Sequence, residues 1–205
     1  AEAGLPTLGT RTVATSNAAS MNLVHRFSTT RLVLSLGVLI LFAPILFFTL
    51  DTLRLRNITL IYLLALFPSA LVLEWVFQGL RKMTILATGR IVAAVSYLLW
   101  ILMFVRSESS IIWIPVGWVA SVVAQSIYLW KQYGGVNETE SIDVPPALNL
   151  IKTAFPLAVA GLVAQVITHF PVVYLGITDP HEGGLFSVAY RVIVLLLVVD
   201  RVFYT

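Results

Sequence analysis

Cysteine is absent from this 205-residue chain, which excludes disulfides and thiolate-bound metals. Charge is scarce as well. Only 11% of the residues are Asp, Glu, Lys or Arg, against about 25% in an average soluble domain. So few charges do not clothe a surface that faces water, whereas 59% hydrophobic residues suit one that faces lipid. Catalytic signatures are missing: there is no glycine-rich phosphate loop, no nucleophile elbow and no His-Glu-x-x-His zinc motif. No two histidines stand at metal-ligand spacing, so neither a metal nor a cofactor is expected, and the chain does not read as an enzyme. The apolar runs lack the alternation of strands, and open sheet edges do not face lipid.

What is present is a series of long apolar runs, pointing to an all-α, polytopic transmembrane bundle. A helix needs about 20 apolar residues to span the hydrocarbon core. Six segments qualify: Leu32–Leu50, Ile58–Phe77, Thr84–Val105, Ile111–Trp130, Ile151–Ile177 and Leu185–Tyr204. The chain opens at Ala1 in a small-residue stretch and stops at Thr205 inside an apolar run, so further helices are expected on both sides. Residues 1–31 read as the end of one such helix plus a cytoplasmic segment. In it Met21, Leu23, Val24 and Phe27 suit either an interfacial helix or a loop. Residues 32–130 hold four spans, 131–150 a polar linker with Gly134-Gly135, Glu138, Glu140, Asp143 and Pro145-Pro146, and 151–205 two more spans.

Lys and Arg set the orientation. Arg11, Arg26, Arg31, Arg81, Lys82, Lys131 and Lys152 fall on one side, Arg54, Arg56 and Arg106 on the other. The first side is therefore expected to be cytoplasmic. The net charge of +3 belongs to these loops, and nucleic acid is not an expected partner. Trp75, Trp100, Trp113 and Trp130 lie near predicted helix ends, at headgroup level, with Trp118 deeper.

Ionisable residues inside spans are costly and mark candidate sites. Arg191 lies about two turns into the sixth span and suits an anionic ligand such as a diphosphate. Asp200 is nine residues further on, roughly on the opposite helix face, so the two are not expected to pair. Arg90 lies a turn or two into its span and either snorkels or lines a cavity. Glu74 and Asp200 are candidates for ion coupling. His169, beside Pro171, is a candidate for substrate contact or proton relay. Pro44, Pro68, Pro156 and Pro171 are candidate kinks or hinges. Gly89/Ala93, Gly117/Ser121 and Ala160/Ala164 permit close helix contacts.

Three stretches carry a family likeness. They are Gly4-Leu-Pro-Thr-Leu-Gly-Thr-Arg-Thr-Val-Ala14, then Glu74-Trp-Val-Phe-Gln-Gly-Leu-Arg-Lys-Met83 with its W-x-F-Q-G turn, and Phe155-Pro-Leu-Ala with Gly161 followed by Gly184-Leu-Phe-Ser-Val-Ala-Tyr-Arg191. In these the chain resembles the polysaccharide biosynthesis flippases, including the O-antigen flippases, of the multidrug/oligosaccharidyl-lipid/polysaccharide exporter superfamily. The resemblance implies part of a two-lobed, MATE-like fold, with the six spans as helices three to eight. It implies export of undecaprenyl-diphosphate-linked oligosaccharide across the inner membrane by alternating access. Arg191, Arg90 and His169 would line the cavity. Where relatives often carry an acid late in helix seven, this chain reads His169-Phe-Pro171. Membrane lipids and loosely associated polysaccharide assembly proteins are the other implied partners. Competing readings are a multidrug or toxin exporter, a peptidoglycan-precursor flippase, a membrane glycosyltransferase or polymerase, and a non-transporting membrane subunit. Deep acids for cationic drugs and a large catalytic loop are both scarce here.

Overall fold

The structure is a computed structural model and describes residues 4–16, 19–49, 52–134 and 147–203. Its elements in chain order are α1 (Leu5–Ser16), α2 (Met21–Thr49), α3 (Leu53–Leu64), α4 (Leu66–Ala70), α5 (Glu74–Gly79), α6 (Met83–Phe104), α7 (Trp113–Tyr133), α8 (Ala147–Thr178) and α9 (Pro180–Phe203). A 3₁₀ turn at Glu108–Ile112 leads into α7. No strand occurs among the described residues. The protein is an all-α, polytopic membrane protein. Four stretches are long and apolar enough to cross a bilayer: Met21–Phe48, Met83–Phe104, Ser110–Tyr133 and Asn149–Thr178. They match the first, third, fourth and fifth expected spans. The sixth lies within α9 as far as Phe203, and Tyr204 is outside the described residues. The expected linker falls outside the described residues over 135–146.

The second expected span is not one helix. Ile58–Phe77 is divided among α3, α4 and α5, with an unwound stretch at Leu71–Leu73. Pro68 has no N–H for the carbonyl of Leu64, and the ladder is interrupted beside it at Ala65. Pro44, Pro156 and Pro171, by contrast, lie inside the continuous helices α2 and α8.

The chain divides into two compact units, 1–156 and 157–205. The core of the first unit gathers where α1, the start of α2, α5, the end of α7 and the start of α8 meet. Val13, Leu23, Phe27, Trp75, Phe77 and Leu129 are fully buried there. Residues 21–30 are not a loop: they form the first turns of α2, and Leu23, Val24 and Phe27 are buried in protein. With 29 residues α2 is about 43 Å long, more than a hydrocarbon core of about 30 Å needs. Away from this core, Val33, Ile40, Ile91, Leu98 and Leu102 are exposed, as a lipid-facing surface requires.

Helix α6 packs along α7. Gly89 makes this possible: a Cβ there would lie 3.0 Å from Leu129 Cδ2. Gly117 lies under the Trp100 ring in the same way. Ala160 and Ala164 are exposed on α8. In the second unit, Asp179 Oδ1 caps α9 by accepting the amides of His181 at 3.0 Å and Glu182 at 3.3 Å, with Pro180 as the first helical residue.

Candidate functional site

Unwinding a helix in a bilayer exposes carbonyls that lipid does not satisfy. Here side chains from three other helices donate to carbonyls in and beside the break, where the amides of Leu71 and Val72 also reach those of Pro68 and Ser69. From α2, Arg31 donates through Nη2 to the Ser69 carbonyl at 2.9 Å and through Nη1 to that of Val72 at 3.1 Å. Ser35 Oγ donates to Leu66 at 3.3 Å. From α7, Ser126 Oγ donates to Pro68 at 3.2 Å and Trp130 Nε1 to Leu71 at 3.0 Å. From α1, Thr10 Oγ1 donates to Trp75 at 3.2 Å. Arg31 is 7% exposed. It is a structural cation held inside the protein, whereas the charge pattern placed it in a cytoplasmic loop.

An ionic cluster stands where the chain resumes as α5. Glu74, in the first turn of α5, forms a two-pronged pair with Arg90 of α6: Nη2 to Oε2 at 2.8 Å and Nε to Oε1 at 3.2 Å. Gln125 of α7 donates its amide to the same Oε1 at 2.6 Å. The carboxylate therefore accepts three hydrogen bonds from two helices. Arg90 is seven residues into α6, about 10 Å from its start. Beside the cluster is a cavity of about 320 Å³. Arg31, Ser35, Ser69, Glu74 and Gln125 supply its polar wall, and Pro6, Leu66 and Val122 its apolar one.

The turn around this cluster is fixed by packing. Gly9 of α1 meets the face of the Trp75 indole, and Gly79 of α5 meets Val13 and the Thr10 carbonyl, where a Cβ would be 2.7 Å from Val13 Cβ. Phe27 tilts against the other part of Trp75, with ring centroids 5.1 Å apart. The α1 sequence and the W-x-F-Q-G turn are thus two halves of one joint. The family model described as polysaccharide biosynthesis protein matches residues 1–203. The chain belongs to the polysaccharide biosynthesis protein family. No curated protein and no solved structure matched it in the other two comparisons. The polysaccharide biosynthesis family is typically one of transporters, and the role of this member is of that kind.

The expected site residues separate into three groups in this family member. Glu74 and Arg90, read individually from the sequence, form one ion pair. Arg90 is accordingly a compensated charge. His169 is exposed on α8 in the second unit. Arg191 and Asp200 lie on α9, but their side chains fall outside the described residues. Gln125 and Arg31 were missed. A signal for the first exists: Ser121, Gln125 and Ser126 are polar in the middle of an apolar run, and spacing of four or five places them on one side of α7. All three are buried. Trp75, expected at headgroup level, is 2% exposed in the core, while Trp118 is 47% exposed.

Proposed function

We propose that this protein moves a lipid-linked oligosaccharide, carried on undecaprenyl diphosphate or a related polysaccharide precursor, across the bacterial cytoplasmic membrane by alternating access. It acts as a transporter and not as an enzyme. The observation that carries this reading is the match of the family model along residues 1–203. The broken segment Leu66–Glu74 supports it, because discontinuous helices flanked by polar side chains are how transporters make polar sites at membrane depth.

In this mechanism Arg191 and His169 contact the anionic head of the substrate. Glu74 and Asp200 serve coupling. The Glu74–Arg90 pair ties α5 to α6, and its making and breaking biases two arrangements of the same helices. Membrane lipids surround the protein, and polysaccharide assembly proteins associate with it loosely.

The test is performed in cells that make the protein, comparing Glu74→Gln and Arg191→Ala with the unaltered chain. The readout is lipid-linked oligosaccharide retained in the inner leaflet, relative to polymer at the surface. Retention in both variants at equal protein abundance supports the reading. Normal surface polymer in both variants overturns it.

A further inference from the structure

The break in the second segment opens a groove of about 470 Å³ on the first unit. One wall is Pro68 and Leu71. The other is a single stripe of α7, Val123, Ser126, Ile127, Trp130 and Lys131, running about 12 Å along the helix. The polar atoms of these walls are already engaged. Ser126 Oγ is bonded to the Pro68 carbonyl and Trp130 Nε1 to the Leu71 carbonyl. What remains is an apolar trough with no unmet hydrogen bond to attract water. Exposed Lys131 ends the trough, and it makes no hydrogen bond or ion pair among the described residues.

The charge at that end is not isolated. Because Gly89 packs on Leu129 and Thr88 bonds Tyr128, α6 begins where α7 ends, which brings exposed Arg81 and Lys82 to the same side of the unit as Lys131. A hydrocarbon slot beneath a cationic rim matches a membrane lipid in shape and charge. The cations of this rim favour an anionic headgroup over a zwitterionic one.

We propose that this groove is a binding site for an anionic glycerophospholipid, with one acyl chain along Val123–Trp130 and its phosphate on Lys131. Bound there, the lipid covers the break at Pro68 and Leu71. The proposal does not depend on what the protein transports.

The test is native mass spectrometry of the full chain, purified and offered equimolar phosphatidylglycerol and phosphatidylcholine. Retention of phosphatidylglycerol over phosphatidylcholine is expected. Lys131→Gln should reduce that preference about fivefold, the effect of one cation near a membrane surface. Ile127→Trp, which fills the groove, should reduce retention of both lipids. Equal retention of the two lipids by the unaltered chain overturns the proposal without reference to any variant. So does displacement of phosphatidylglycerol by equimolar undecaprenyl phosphate, which would assign the groove to the carrier lipid.

Discussion

Gly9 lies so close to Trp75 that a Cβ on it would be 2.6 Å from the ring atom Cε3. Trp75 is buried with the Phe27 ring packed against it, so the indole has little room to yield. Gly9→Ala should therefore destabilise the protein by about 1–3 kcal/mol, the usual cost of overpacking. Thermal unfolding in detergent measures it. Gly37, with open space around it, is the control: Gly37→Ala should not destabilise.

The guanidinium of Arg31 bridges two carbonyls of the broken segment. Arg31→Met keeps much of the packing and removes both donors. The Ser69 carbonyl keeps the Val72 amide at 3.3 Å, but the Val72 carbonyl is left unmet. A loss of about 1–3 kcal/mol is expected for one unmet buried carbonyl, and Arg31→Lys, which lacks the planar fork, should recover only part of it. Chemical denaturation of the three proteins gives the comparison.

A double-mutant cycle on Glu74→Gln and Arg90→Gln should return a modest coupling, about 0.5–1 kcal/mol, because the Arg90 side chain is 64% exposed. Gln125→Leu should cost more than Arg90→Gln, since the Gln125 amide is buried on the carboxylate. Unfolding midpoints of the five proteins decide the order. The reverse order would mean that the salt bridge, not the amide, holds Glu74.

Single-tryptophan variants report the two indole environments directly. Brominated acyl chains in the bilayer should quench Trp118, which is 47% exposed, and leave Trp75, at 2%, largely unquenched.

The sequence made most of the helices legible, and for a clear reason. Long runs such as Met83–Phe104 have one stable form in lipid, a continuous helix, so hydropathy and length identify them. Ile58–Phe77 has the same hydropathy and a different structure. Hydropathy counts side chains and is blind to whether a carbonyl finds its partner within the helix or from Arg31, Ser126 or Trp130. The burial of Trp75 was hidden for a related reason. An indole prefers the interface on average, but here Gly9 leaves a slot of its own width in the core. The ion pair was half legible: Glu74 and Arg90 each stood out as a cost, and only the close approach of α5 to α6 makes them partners.

The borrowed donors of the broken segment also impose an order on biogenesis. Leu66–Trp75 leaves the ribosome well before Ser126 and Trp130, which satisfy two of its carbonyls. Until α7 arrives, that stretch of backbone has no complete set of partners in hydrocarbon. It must wait at the bilayer surface, within the insertion machinery or beside water. A nascent chain stopped between Gly79 and Trp113 should therefore remain open to a water-soluble label at Leu71 and to proteases. Extending it past Trp130 should close both off in a single step.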